Sequence, residues 1–233
     1  MLILEMLGAP GSGKTTFSNE LVSELKGFNI ITNSEISEQL RNEKGNKIYR
    51  FIREFLAKEA FIFNIRIIKY LLSYRVTFDR VKWAKNFIRF NKILESLKRE
   101  RRFDLLILDE GILQLVTSIP HDIEIKKNPA FYKLMCSIST LYSDTVFINC
   151  ELELSEIIKR LRARNNPNHR FDNVPQEKLI ELIKIKKTNL NTVLTSLNEA
   201  NKVISLNLND INKKEKVNKI LFENKKINAK NDQ

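Results

Sequence analysis

Three groups of residues in this 233-residue chain have the types and spacing to do chemistry. The first is Gly8-Ala9-Pro10-Gly11-Ser12-Gly13-Lys14-Thr15, which fits G-x-x-x-x-G-K-[ST] at every position. Its glycines let successive backbone N–H groups turn inward around a phosphate. A helix beginning near Lys14 would aim its positive end at the same group. In this pattern Lys14, read as an exposed loop cation, stands between β- and γ-phosphates. The Thr15 hydroxyl coordinates Mg²⁺, and Thr16 reaches the α-phosphate. Gly8, Gly11, Ser12, Gly13, Lys14, Thr15 and Thr16 are therefore the candidate nucleotide-binding residues. The second group is Asp109-Glu110, closing the apolar run Leu105 to Leu108. An Asp at that strand end orients Mg²⁺ through water, so Thr15 and Asp109 are the candidate metal residues. Glu110 is a general base, a metal helper or a substrate ligand. The third group is Arg160, Arg162, Arg164 and Arg170. Arg160 and Arg164 share one helical face, and Arg162 points elsewhere. Arg170 follows Pro167 in a loop. Phosphoryl transfer needs cations at the migrating phosphate, and arginines at a helix end before a loop can supply them on closure.

The elements that must hold these residues alternate between strand and helix. Leu2 to Leu7 reads as a buried strand ending at Gly8, and Thr15 to Lys26 as a helix stopped by Gly27. Asn29 to Thr32 reads as a second strand, so the opening is a parallel βαβ unit. Phe103 to Glu110, Thr145 to Cys150 and Lys202 to Leu208 complete a five-stranded parallel sheet. Helices are expected from Leu154 to Arg164, from Pro175 to Asn198 and from Ile211 to about Asn224. The stretch after the third strand is helical, interrupted by Pro120 and Pro129. Residues 36–102 show helical spacing, with Phe51, Phe55, Phe61, Phe63 and Ile67 as examples and breaks near Gly45 and between Tyr74 and Asp79. The expected fold is α/β, one domain over residues 1–233, with a helical insertion at about 36–102 and a lid at about 160–173.

Composition narrows the class. Hydrophobic residues at 42% and charged residues at 29% suit an ordinary globular chain rather than a disordered one. Cys136 and Cys150 cannot make a disulfide framework, which points to a reducing, cytoplasmic setting; both sit in apolar contexts and read as core. Phe61 to Leu72 is too short and too charged to cross a bilayer. The net charge of +12 is concentrated: residues 36–102 hold 18 Lys and Arg against 7 Asp and Glu. Such a field attracts phosphates, nucleic acid or an acidic surface, although a Lys-, Asn- and Ile-rich composition also produces it. His121 and His169 lack metal-ligand spacing, and Trp83 and the insertion's phenylalanines read as helix packing.

These motifs resemble the nucleoside and nucleotide kinase group of P-loop proteins. Arg160-Leu161-Arg162-Ala163-Arg164-Asn165-Asn166-Pro167-Asn168-His169-Arg170-Phe171-Asp172 is similar to the lid of thymidylate kinases. The resemblance implies a three-layer P-loop fold, Mg·ATP as the nucleotide, and Arg160, Arg164 and Arg170 as lid cations. Related deoxynucleoside kinases place a carboxylate after the second strand to take the acceptor's proton, which implies that role for Glu35. A helix N-terminal acid capped by Ser34 is the other reading of Glu35. The chain departs from thymidylate kinases after the third strand, with Asp109-Glu110-Gly111 where they carry an Asp-Arg-Tyr type motif. After the second strand Asn33-Ser34-Glu35-Ile36 replaces an Arg-Glu-Pro-Gly type segment.

The sequence thus predicts a kinase that moves the ATP γ-phosphate to a small acceptor: a nucleoside, a nucleotide or a sugar-like metabolite. Lys14, Arg160, Arg164, Glu35 and Glu110 are its catalytic candidates. The acceptor is expected between the ends of strands two and three and the insertion. A nucleic-acid-dependent kinase or ATPase using the basic insertion, and a nucleotide-binding regulatory module, are the alternatives. No Asn-Lys-x-Asp guanine motif ends a late strand, which favours ATP. The implied partners are the nucleotide and the small acceptor, with nucleic acid less favoured, no membrane, and a homodimer compatible.

Overall fold

The computed structural model describes residues 1–25, 27–42, 61–100, 102–164, 174–197, 201–210, 212–213, 215–219 and 221. Strands β1 (Leu2–Leu7), β2 (Ile30–Thr32), β3 (Leu105–Leu108), β4 (Thr145–Glu151) and β5 (Lys202–Asn207) form one sheet in the order β2-β3-β1-β4-β5. Every pairing is parallel. The helices are α1 (Lys14–Glu24), α2 (Asn33–Asn42), α3 (Phe61–Leu72), α4 (Phe78–Glu100), α5 (Ile112–Ser118), α6 (Pro129–Leu141), α7 (Leu154–Ala163) and α8 (Gln176–Leu194).

The strand sequences require cover on both faces. Successive side chains alternate across a sheet, and in β1 both sets are buried. Ile3 and Leu7 join one core, whereas Leu4 and Met6 join another. β3 divides in the same way, Leu106 and Leu108 against Leu105 and Ile107. The first core is closed by Tyr70, Phe87, Val116, Phe131, Ile138 and Leu190 from α3 to α6 and α8. The second is closed by Phe17 and Leu21 of α1 and by Val217 and Leu221 near the C-terminal end. Helices on both faces of a parallel sheet make the three-layer α/β fold that the motifs imply. A smaller cluster of Ala9, Ile157, Leu161, Leu179 and Ile183 seats α7 and α8 beside the phosphate loop.

All five expected strands are present, with ends moved by no more than a few residues. β3 stops at Leu108, so Asp109 and Glu110 stand just past its carboxyl end. The expected break between Tyr74 and Asp79 falls between α3 and α4. The break near Gly45, the loop from Asn165 to Asn173 with His169 and Arg170, and the tail from Lys225 lie outside the described residues. Of the expected closing helix, residues 215–219 are helical.

Two core assignments need correction. Cys150 is buried, but Cys136 is exposed, because Phe131, Leu134, Met135 and Ile138 take the inward stripe of α6 and position 136 falls outside it. Phe63, Phe87 and Phe90 pack inside, yet Phe78 is 85% exposed at the start of α4 and Phe61 is exposed at the start of α3. Both precede the turn at which their helix meets the core. No helix among the described residues is long and apolar enough to cross a membrane.

Candidate functional site

β1 lies between β3 and β4, while the chain leaves it for β2 on the far side of β3. That change of direction opens a crevice at the carboxyl ends of the strands, where open α/β sheets bind ligands. The loop from Gly8 to Gly13 fills its mouth. Gly8 has φ +151°, and a Cβ there would stand 2.7 Å from the Cys150 carbonyl oxygen. Gly13, the N-cap of α1, has φ +95°, and a Cβ there would meet Arg160 Nη1 at 3.2 Å. Both positions need glycine for conformation and for closeness to a neighbour.

Register explains the next contact. Glu5 of β1 pairs with Leu108 of β3, so Asp109 emerges beside the start of α1. The Thr15 hydroxyl donates to Asp109 Oδ2 at 2.8 Å. Lys14 is half-buried rather than exposed, and its ammonium donates to the Gly8 and Ala9 carbonyls at 2.8 and 3.0 Å. Burial lowers its pKa, opposed by the carboxylates of Glu110 and Asp109. Burial also pushes the Cys150 thiol up to about 12, so it sits under the loop as a neutral group. Ser12 is fully buried, and its Oγ has no hydrogen-bond partner. An orphaned hydroxyl inside a ring of amides suits a phosphate oxygen. No group of three or more His, Cys, Asp or Glu able to hold a metal stands among the described residues. A cation at Thr15 and Asp109 would therefore complete its shell with phosphate and water, as Mg²⁺ does.

The arginines separate. Arg164 lines the cavity together with Lys14, Thr15, Asp109 and Glu110. Arg160 lies over Gly13, with Nε donating to Glu156 at 2.9 Å and Nη2 to Asn209 at 3.4 Å. Arg162 turns away and donates to the Val174 carbonyl at 2.7 Å, tying the end of α7 to the residue just before α8. Arg170 is outside the described residues.

Glu35 does not line this cavity. Its Oε2 accepts from the Thr32 N–H at 2.7 Å and the Thr32 hydroxyl at 2.9 Å. Thr32 and Glu35 thus form the reciprocal end of a capping box at the start of α2, with Thr32 in the place expected for Ser34.

The cavity is about 470 Å³ and extends well beyond the phosphate loop. Its far walls are Trp83 of α4, Gln114 and Ser118 of α5, His121, and Lys186 of α8. Two buried polar devices hold these walls. Glu5, only 1% exposed in β1, accepts from the N–H groups of Ile112, Leu113 and Gln114 at 2.9, 2.8 and 3.1 Å, which fixes the start of α5. Burial raises its carboxyl to about 8 despite those three donors. A Cβ at Gly111 would stand 2.4 Å from the Glu5 carboxyl carbon, so the chain can pass there only as glycine. Arg80, buried in α4, pairs with Asp122 at 2.6 Å and donates to the Ile119 carbonyl at 3.2 Å, which joins α4 to the segment carrying His121.

The AAA domain family profile (AAA_33) matches residues 3–184. The chain belongs to this family. A shikimate kinase from Bacteroides thetaiotaomicron superposes with a TM-score of 0.51 at 14% identity, over 95% of this chain and 97% of its own. A thymidylate kinase from Candida albicans gives 0.49 at 17% identity, over 96% and 92%. A deoxyadenosine kinase from M. mycoides with bound dATP gives 0.45 at 12% identity, over 95% and 99%. No curated protein matches the sequence. The AAA-domain chain therefore has a kinase-like P-loop fold.

Sequence reasoning located the phosphate loop, Asp109, Glu110 and Arg164, and the fold brings these to one cavity. Glu5, Gln114, Ser118 and Lys186 are not singled out by the sequence and His121 reads there as uninvolved, whereas Trp83, expected as packing, does pack against the first core and lines the cavity as well. A lone acid in the apolar strand Leu2–Leu7 was the signal available for Glu5, since a buried charge demands partners. Lys186 offered a weaker one, a cation on the apolar side of a long helix.

Proposed function

We propose that this protein is an Mg·ATP-dependent phosphotransferase acting on a small hydroxylated acceptor. The observation that carries the reading is the Thr15–Asp109 contact at 2.8 Å on the wall of a cavity larger than a triphosphate needs. Membership of the P-loop family and the kinase-like fold support it. The amides of the loop from Gly8, Gly11, Ser12 and Gly13 cradle the β-phosphate, and Thr16 takes the α-phosphate. Thr15 and Asp109 would hold Mg²⁺, which would supply neutralisation of the phosphate charge during transfer.

The acceptor oxygen attacks the γ-phosphorus in line while the bond to the β–γ bridging oxygen breaks and ADP leaves. Lys14 and Arg164 stabilise the charge on the transferring group, with Arg170 added from the lid. Arg160 buttresses the loop over Gly13 on the nucleotide side. Glu110, on the cavity wall, takes the hydroxyl proton. Glu35 is the alternative base, but its carboxylate is engaged by Thr32.

Incubation with Mg·ATP and a panel of nucleosides, nucleotides and hydroxy acids tests the reading, with ADP release and the phosphorylated product followed together. Turnover of one class, dependent on Mg²⁺, is expected. Tight ATP binding with no ADP formed from any acceptor would favour the regulatory-module alternative.

A further inference from the structure

The turn between α3 and α4 carries a surface that the phosphate loop does not use. Phe78 is 85% exposed, and Leu72, Val76 and Val81 are between 44% and 63% exposed. Surface hydrophobics ordinarily stand singly, and a cluster of large ones marks a place of interaction. Phe78 and Val81 are three apart in α4, so they share one face of it.

The backbone under these side chains is braced. Arg80 Nη1 donates to the Arg75 carbonyl at 2.7 Å, and the Val81 N–H donates to the Thr77 carbonyl at 3.0 Å. Lys126 Nζ reaches across to the Ser73 carbonyl at 3.3 Å. Arg80 Nη2 is held in turn by Asp122. The four apolar groups therefore cannot fold inward without breaking these contacts.

Cations surround them. Lys69, Arg75 and Lys82 are exposed in the same stretch, and Lys126 and Lys127 are exposed in the segment that Lys126 ties to Ser73. With Asp122 set against Arg80, the acids of the two stretches are Asp79 and Glu124, so five cations face two acids. The surface thus asks for a partner that is negative at its face and apolar behind it. A second copy of the chain fits poorly, since closing two copies over this turn sets like charges against each other. A rigid acidic protein would need a concave seat for a ring standing as far out as Phe78. A bilayer of anionic lipids supplies both chemistries and yields around a protruding side chain.

We infer that the α3–α4 turn is a contact site for an anionic membrane surface, where Leu72, Val76, Phe78 and Val81 enter the headgroup boundary and Lys69, Arg75 and Lys82 meet lipid phosphates. No described helix is long and apolar enough to cross a membrane, so the contact is with the surface alone. The sequence predicts no membrane partner, because Phe78 reads there as helix packing and only the fold shows it in water. The contact does not depend on the phosphotransferase reading.

Sedimentation of the full-length protein with vesicles tests it. Vesicles of phosphatidylcholine mixed with phosphatidylglycerol should bind the protein saturably, and phosphatidylcholine alone about tenfold more weakly or not at all. Phe78→Ser combined with Val81→Ser should weaken binding to the mixed vesicles about tenfold or more. This variant keeps every charge, so the loss separates insertion from general adsorption of a basic protein. Arg75→Glu combined with Lys82→Glu should also weaken that binding about tenfold or more. Circular dichroism checks the fold, and Phe78→Ser alone serves if the double variant does not fold. No binding to the mixed vesicles, or binding unchanged in the serine variants, would overturn the inference. Sedimentation velocity without lipid supplies a further outcome: self-association lost in Phe78→Ser, with no vesicle binding, would assign the turn to a second copy and overturn it too.

Discussion

The two ends of the cavity are built in different ways. At the phosphate end, nine consecutive residues, Gly8 to Thr16, supply a loop of amides, a cation and three hydroxyls, and one strand end adds Asp109. At the far end, Trp83, Gln114, Ser118, His121 and Lys186 come from three helices and a connection. A triphosphate presents the same oxygens in every such protein, so backbone geometry can bind it, and backbone geometry leaves a contiguous trace in sequence. An acceptor varies, so side chains on separate elements bind it, and their association exists only after folding. On the proposed reading, the first end does the chemistry and the second decides on what.

The comparison is broken most directly at Lys14. Lys14→Ala should lower turnover about 10³-fold or more, since a cation at the transferring phosphate acts mainly on the transition state. The ammonium also braces the Gly8 and Ala9 carbonyls, so a loss of about 1 kcal/mol in stability should accompany it. ADP release and thermal unfolding measure the two effects. Turnover near the native rate would leave the phosphate end without its chemistry.

Asp109→Asn comes next. The amide keeps the shape beside Thr15 but removes the charge, so turnover should fall about 10²-fold and the Mg²⁺ needed for half-maximal activity should rise. If the Mg²⁺ dependence stays put, the metal acid is Glu110 or Glu35 instead.

Smaller effects should separate two arginines that sequence placed together. Arg164, on the cavity wall, should act late, so Arg164→Ala lowers kcat about 10²-fold with ATP affinity little changed. Arg160 instead packs over Gly13 and bonds Glu156 and Asn209. Arg160→Ala should weaken ATP binding a few-fold, about 1 kcal/mol or less, and leave kcat nearer native. Steady-state kinetics with varied ATP decides. A large loss of kcat in both variants would restore the paired role.

How much of this was legible follows from the same physics. All five strands could be read because each is a short apolar run buried on both faces, and β3 even announced its end with Asp109-Glu110. Arg160 and Arg164 share a helix face in sequence, but α7 is so close to the loop that one turn along it moves a side chain from Gly13 to the cavity wall. Lys186 was hidden in a lysine-rich helix whose other cations face solvent; only packing against Thr117 and Ser118 singles it out. Glu35 was legible as a local cap and as a base, and the Thr32 contacts show which hydrogen bonds it makes.

Glu5 joins the two ends, and replacing its carboxyl should have the smallest effect on turnover. It stands in the central strand, buried beneath the start of α5, and holds the helix that carries Gln114 and Ser118. Its carboxyl titrates at about 8 in the fold against an ordinary value of 4.5. Between those values the folded state keeps a proton that the unfolded chain has released. This contribution to stability is therefore complete below about pH 4.5 and is lost as pH rises through about 8. Glu5→Gln carries no such proton. Its amide can still accept from α5 through one oxygen, so the fold and most of the turnover should survive. The melting temperature of the native chain should decline from pH 5 to pH 8 more steeply than that of the variant. Parallel curves would mean that Glu5 is ionised throughout, held by the three N–H groups and the positive end of α5. The far wall would then rest on a buried charge, and Glu5→Gln should lower stability at every pH and disturb the Gln114 wall along with it.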